Sequence, residues 1–298
     1  MIRKIFNVSR YEFIVKLILN KYYVFILLLS LVLYFLYGIY FIDERFGIYF
    51  LNVGQGDSTL IETPDKKYML VDGGPDDSVI DELRYSLPFW KRKIDYVFVT
   101  HTDADHLAGI IDVLKFYTVE NVIYTPSKPE TELVKEFNNL LAKRNINVFD
   151  LSANDSLKLG CCVTIDMVWV QNEKIGVQEA NINNFSKSFI LKYGNFRALL
   201  AGDLESKYEE VVATINPIEI DLLKVGHHGS KTSSSLDFLK RISPKFAIIS
   251  VGKDNKYGHP NNETIDNLNL VGSKIFINYE YNRLYFKTDG DYLDYFAH

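Results

Sequence analysis

The order of apolar and polar positions divides the chain into one long apolar run and a longer mixed region. Residues 23–42 read YVFILLLSLVLYFLYGIYFI, twenty positions without a charge, about the length needed to cross a bilayer core. A helix with no polar face has no ordinary place in a soluble domain, so a membrane anchor is expected there. Beyond it the apolar runs are short and broken by Gly and Pro. Ile48–Val53, Thr59–Glu62, Tyr68–Val71 and Asp95–Thr100 read as strands, and Asp76–Tyr85, Leu107–Phe116 and Glu130–Lys143 as helices. Strands follow near Val163–Val170, Ser188–Tyr193 and Phe196–Leu200, then a helix near Glu205–Ala213 and a strand at Ile220–Val225. The end alternates: helix Ser235–Ile242, strand Phe246–Val251, helix Glu263–Leu270, and strands Ile275–Asn278 and Leu284–Lys287. Strands mixed with helices predict two packed sheets flanked by helices, an α/β domain over residues 46–298.

Charge adds an orientation. Five of the 33 cations and one of the 38 anions lie in residues 1–42, so residues 43–298 carry a net charge of −9. Cations before the apolar run and Asp43-Glu44 after it place residues 1–22 in the cytoplasm and the domain outside. No A-x-A-like cleavage site follows, so the anchor is expected to stay attached. The acidic body argues against a broad basic surface for nucleic acid. The two cysteines, Cys161 and Cys162, are adjacent. A bridge between neighbours is strained, so they read as small strand residues rather than a disulfide framework.

The candidate chemistry gathers where strands end. After the strand closing at Thr100 comes His101-Thr-Asp103-Ala-Asp105-His106, four possible ligands in six residues of a chain with six His in all. Ligands are commonly placed at strand ends in α/β folds. A turn there turns His101 and Asp103 to one side and leaves Asp105 and His106 for a second point nearby. Leu199-Leu-Ala-Gly-Asp203 repeats the pattern with a lone carboxylate able to bridge two cations. The third case runs from Asp221 through His227-His228-Gly-Ser-Lys231. Alternation from Leu223 and Val225 puts His227 on their side, with His228 toward substrate and Lys231 available to an anion. The fourth is His259-Pro260 on a Gly/Pro-shaped loop.

These residues resemble the metallo-β-lactamase superfamily, and within it the extracellular hydrolase domain of ComEC-type DNA-uptake proteins. The shared motifs are Asn52-Val-Gly-Gln-Gly-Asp57, Val71-Asp72-Gly-Gly74, Thr100 to His106, Ala201-Gly-Asp203, Lys224 to Lys231 and Gly258-His-Pro260. The resemblance implies an αββα sandwich with two divalent metal ions, Zn²⁺ or Mn²⁺, at one edge. It implies His101, Asp103 and Asp203 around one ion and Asp105, His106, Asp203 and His227 around the other, with Asp57, His228 and His259 near substrate. Asp103 stands where the wider superfamily has a second His. A third His for the first ion has no counterpart; a polar segment, Asn183 to Ser188, takes its place. Oxygen in place of nitrogen suits harder ions such as Mn²⁺. The implied activity is hydrolysis of a phosphodiester, single-stranded DNA among the substrates. A lactone, amide or phosphorylcholine-ester hydrolase, a lapsed binding module and a non-catalytic DNA-uptake accessory protein are the alternatives. A single apolar span excludes a multi-span channel.

Overall fold

In the computed structural model, which describes residues 2–40, 43–126, 131–169, 182–215 and 219–298, the short strands pair into two sheets. The first has the order β15-β14-β1-β2-β3-β4-β5-β6. Its strands are β1 (Phe46–Phe50), β2 (Thr59–Glu62), β3 (Tyr68–Val71), β4 (Lys93–Phe98), β5 (Thr118–Ile123), β6 (Asn147–Phe149), β14 (Leu284–Thr288) and β15 (Leu293–Ala297). The second has the order β13-β12-β11-β10-β9-β8-β7. It is built from β7 (Ser156–Leu159), β8 (Val163–Trp169), β9 (Ser188–Tyr193), β10 (Phe196–Leu200), β11 (Leu222–Lys224), β12 (Phe246–Ile249) and β13 (Lys274–Ile277).

Strand alternation decides what each face meets. Phe46, Ile48 and Phe50 of β1 point into the space between the sheets, where they meet Phe189, Ala198 and Leu200 of the second sheet. Leu199, one residue out of phase, points the other way into a separate core with Phe238, Leu239 and Leu268. Helices α2 (Ser78–Ser86), α3 (Ala104–Phe116) and α4 (Glu132–Lys143) cover the first sheet. Helices α5 (Ser206–Ile215), α6 (Leu236–Ile242) and α7 (Asn262–Leu270) cover the second. The layers are therefore α, β, β, α, as the sequence predicts. Each fully buried aliphatic or Phe side chain contributes about 1.5–3 kcal/mol, and the three cores hold dozens of them.

The long apolar run lies in α1 (Ile2–Tyr40), part of a compact unit, Met1–Asp43, distinct from the unit Glu44–His298. Its stretch Leu19–Leu36 has a mean hydropathy of 1.8 and is the one helix among the described residues long and apolar enough to cross a membrane.

Differences from the sequence reading are local. Residues 41–42 of the expected anchor, Glu130 and Val170 lie outside the described residues. Strands β5, β6, β7 and β15 are three to six residues long and carry polar positions such as Glu120, Asn121 and Lys158, which break the apolar signal. The helix expected from Leu107 begins at Ala104, so Asp105 and His106 sit in its first turn. Cys161 and Cys162 are not strand residues. They lie in the turn between β7 and β8 and are joined by a disulfide.

Strand direction decides where the polar loops gather. β3 to β6 run parallel, and β1 shares their direction because it and β3 are both antiparallel to β2. β10 to β13 are also parallel to one another. Helix α3 is pressed onto the loop after β3: the Gly73 amide donates to His106 O at 2.7 Å and the Gly109 amide to Gly74 O at 3.0 Å. A Cβ on Gly109 would stand 1.9 Å from Gly73 O, a backbone atom that cannot rotate away. Gly109→Ala is therefore expected to destabilise the domain by about 1–3 kcal/mol, as overpacking does. That lowers the melting temperature by about 2–4 °C per kcal/mol in a domain of this size; an unchanged thermal melt would show that α3 is not held this closely.

Candidate metal centre

The C-terminal ends of β3 and β4 from one sheet and of β10, β11 and β12 from the other meet at a single edge of the sandwich. Asp72 follows β3, His101 follows β4, Asp203 follows β10 and His228 follows β11. His101, His106, His228, Asp57, Asp72 and Asp203 are all buried. Asp203 is central. Its Oδ1 is 3.4 Å from His106 Nε2, and its Oδ2 is 3.8 Å from His101 Nε2 and 3.7 Å from His228 Nε2. His228 Nε2 is also 3.2 Å from Asp105 Oδ2, and His101 Nε2 is 3.7 Å from Asp103 Oδ2. Two sets of donor atoms, His101/His106/Asp203 and Asp105/His106/His228, each lie within 4.8 Å of one another.

Each imidazole is oriented from behind. Asp72 takes the Thr100 amide on Oδ1 at 2.8 Å and the Thr100 hydroxyl on Oδ2 at 2.7 Å, and Oδ2 stands 2.9 Å from His106 Nδ1. A carboxylate on Nδ1 fixes the tautomer that leaves Nε2 as the free lone pair. His228 is held likewise, with Nδ1 2.9 Å from Ser250 O and 3.2 Å from Asp57 Oδ1. Asp57 is in turn paired with the buried ammonium of Lys224 on β11. Asp203 keeps its place because its amide donates to Ser186 Oγ at 2.9 Å.

Charge follows from burial. His101 is pushed down to about 3 by burial and by neighbouring His106. Burial also opposes charge on His228, but Asp203 and Asp57 outweigh it and push it up to about 10. Burial would raise Asp203, yet His106 and His228 hold it well below the usual carboxylate range. Burial and then Asp105 push Asp103 up to about 6. The carboxylates thus draw positive charge onto the imidazoles, and a divalent cation competes with protons for the same lone pairs. The donor set fits a cation. His101 Nε2, His106 Nε2, His228 Nε2 and Asp203 Oδ1 are buried without a hydrogen-bond partner, a state that is costly unless something positive sits among them.

The family resemblance implies His227 as the ligand, with His227 and His228 not told apart by the sequence; in the structure it is His228 whose Nε2 faces Asp105 and Asp203. β11 ends at Lys224, and Gly226–Gly229 forms a 3₁₀ turn in which His227 and His228 both adopt left-handed backbone, φ 48° and 53°. Alternation stops with the strand, and the second ring turns inward. His227 is only partly buried, with Nδ1 3.3 Å from Thr232 Oγ1 and Nε2 3.0 Å from Asn183 Nδ2. His259 flanks it, with ring centroids 5.8 Å apart. Lys231 is exposed. Asp57, expected near substrate, is instead a buried partner of Lys224 and His228. Sequence reasoning assigned no role to Asp72 or Lys224. Asp72 repeats the signal that found Asp203, a carboxylate after an apolar strand; Lys224 is a lone cation inside Leu222-Leu-Lys-Val225.

A family profile described as "Beta-lactamase superfamily domain" matches residues 67–244. ComE operon protein 3 of Bacillus subtilis (strain 168) is 30% identical over 243 residues, 72% of this chain and 29% of its own length. Recombination protein 2 of Haemophilus influenzae is 29% identical over 236 residues, 76% of this chain and 26% of its own length. The chain thus spans less than a third of these relatives. Among solved structures, the metallo-beta-lactamase fold protein YhfI from Bacillus subtilis is similar with a TM-score of 0.52 and 13% identity, covering 78% of this chain and 96% of that one. At that identity it shows the fold alone.

Two substitutions test the geometry. His228→Ala is expected to abolish most of the rise in melting temperature that Mn²⁺ or Zn²⁺ gives by binding the folded state, while His227→Ala keeps it; the reverse ranking would contradict the placement of His228. Asp72→Asn is expected to weaken metal affinity about 10–100-fold, the usual cost of losing a carboxylate behind a ligating His.

Proposed function

The chain belongs to the metallo-β-lactamase superfamily of hydrolases, and from that membership and the chemistry of its sheet edge we propose that it is a membrane-anchored, metal-dependent phosphodiesterase. The observation that carries this reading is the presence at one sheet edge of four buried atoms without a hydrogen-bond partner, His101 Nε2, His106 Nε2, His228 Nε2 and Asp203 Oδ1. We assign His101, Asp103 and Asp203 to one divalent ion and Asp105, His106, His228 and Asp203 to a second, so that Asp203 is shared. Bound there, such ions supply Lewis acidity toward a phosphoryl oxygen and toward the attacking water.

The chain's own residues do the rest. Asp72 and Ser250 O fix the two imidazoles so that each presents Nε2. Lys224 neutralises Asp57, which lets a third carboxylate stay buried beside His228. His259, partly buried beside His227, is the imidazole we assign to a substrate oxygen. Asp103, where relatives outside this branch carry His, makes the first set richer in oxygen, which suits Mn²⁺ and a phosphoryl substrate. The sequence resemblance to the hydrolase domain of ComEC-type DNA-uptake proteins favours nucleic acid, single-stranded DNA included. Helix α1 serves as a single-pass anchor, with the cation-rich N-terminus in the cytoplasm and Glu44–His298 outside.

The test uses the full chain in detergent with Mn²⁺ or Zn²⁺ and a nitrophenyl phosphodiester, single-stranded DNA, a lactone and a phosphorylcholine ester as substrates. Phosphodiester cleavage that chelation stops and that His106→Ala reduces by at least about 10²-fold is expected, since losing one group that stabilises the transition state costs that much. Turnover of the lactone alone would move the substrate class, and an active His106→Ala would remove the site. Protease added to intact cells is expected to digest the domain; full protection would reverse the topology.

A further inference from the structure

The helix-facing side of the first sheet carries a cavity to which the metal chemistry assigns no role. Its volume is about 150 Å³, the size that holds one six-membered ring. Tyr49 on β1 and Tyr285 on β14 form one wall, stacked with centroids 5.1 Å apart. Glu82, Tyr85 and Ser86 at the end of α2 form another, and Arg283 completes the lining. The cavity lies at the metal-centre edge. β1 ends there, and on the cavity wall the Leu51 amide donates to Ser58 O at 2.9 Å. Asp57, the residue before Ser58, has Oδ1 3.2 Å from His228 Nδ1.

The polar groups of this cavity have capacity to spare. Glu82 accepts the Asn52 amide on Oε2 at 3.3 Å, and its Oε1 takes no hydrogen bond among the described residues. Burial pushes the Glu82 carboxyl up, and the Asn52 amide and Arg283 pull it back. Arg283 forms no ion pair among the described residues; its guanidinium stands 5.5 Å from the centroid of the Tyr85 ring. Tyr85 is itself 67% exposed.

Ring-sized space between aromatic walls, a carboxylate oxygen open to an N–H donor and an unpaired guanidinium fit one chemistry. Unpaired bases stack on Tyr rings and guanidinium planes. A carboxylate accepts from the exocyclic amine of cytosine, and Arg pairs with phosphate. Thymine and uracil fit less well, because carbonyl oxygens flank their one ring N–H and would face Glu82. A quaternary ammonium would suit the rings and the carboxylate, but Arg283 on the same cavity repels it.

We propose that this cavity is a nucleobase subsite that takes a cytosine of single-stranded nucleic acid, with its ring against Tyr85, its amine on Glu82 Oε1 and its phosphate on Arg283, beside the metal centre. The subsite rests on the reading of that centre as one acting on nucleic acid.

The experiment uses the full chain in detergent with a chelator, so that nothing is cleaved, and fluorescein-labelled oligo-dC and oligo-dT read by anisotropy. The native chain is expected to bind oligo-dC at least about fivefold more tightly, the discrimination that one good base contact gives. Glu82→Gln, whose amide can donate to the thymine carbonyl, is expected to erase that preference. Tyr85→Ala is expected to weaken both oligonucleotides at least about fivefold, as loss of one stacked base does. Excess choline is expected not to displace oligo-dC; displacement would give the cavity to a quaternary ammonium and overturn the base. Equal binding of the two oligonucleotides by the native chain, or a preference that survives Glu82→Gln, overturns the subsite, while Mn²⁺-dependent cleavage of single-stranded DNA would keep the reading beneath it. A native chain that binds neither oligonucleotide overturns the subsite, and if it also cleaves neither with Mn²⁺ the nucleic-acid reading falls with it.

Discussion

Three carboxylates and three imidazoles buried at one sheet edge set the terms for the rest of the molecule. Each ion taken from water costs several kcal/mol even after relaxation. The arrangement is stable only because the buried charges meet opposite ones at short range: Asp72 meets His106, Asp57 meets Lys224 and His228, and Asp203 meets His106 and His228. Pairing still leaves a ring of buried nitrogen and oxygen atoms without a hydrogen-bond partner. A divalent cation is the group that completes such a ring, and so the same electrostatics that make the cluster costly make it selective for one class of ligand.

The fold supplies this cluster by direction rather than by any single motif. Parallel strands in both sheets deliver their C-terminal ends to one edge, so residues more than a hundred positions apart arrive together. Two local devices finish the placement. Helix α3 starts within the HTDADH segment, putting Asp105 and His106 on its first turn against the glycine-rich loop after β3. The turn after β11 holds two consecutive non-glycine residues in the left-handed region, which costs on the order of 1–3 kcal/mol each. That strain is held by the His227 amide on Gly202 O at 3.1 Å and the Ser233 hydroxyl on Gly226 O at 2.7 Å. The backbone is distorted so that His228, which regular alternation would point away, reaches Asp203 and Asp105.

The same devices explain how much of the molecule is legible in its sequence. Apolar runs such as Thr59–Glu62, Tyr68–Val71 and Phe196–Leu200 are read at the positions where the strands stand, because burial on both faces leaves few polar residues to blur them. The layered architecture and the polar strand ends follow from that pattern. His228 is not legible as the inward ring, because the period-two rule holds only while the strand does and nothing in the residue types announces left-handed backbone at His227. Asp72 and Lys224 are hidden for another reason. Their partners, His106 and Asp57, are 34 and 167 positions away, and a supporting contact has no local signature. The short strands β6 and β7 are missed because their sequences are as polar as loops.

The proposed function assigns Asp203 to two divalent cations at once. The direct measurement is calorimetric titration of the purified full chain with Mn²⁺ and with Zn²⁺, beside Asp203→Asn. Saturable binding by the native chain that is lost or strongly weakened in Asp203→Asn is the expected result. A native chain that takes up neither ion, or an Asp203→Asn chain that binds as the native one does, would contradict that role for Asp203.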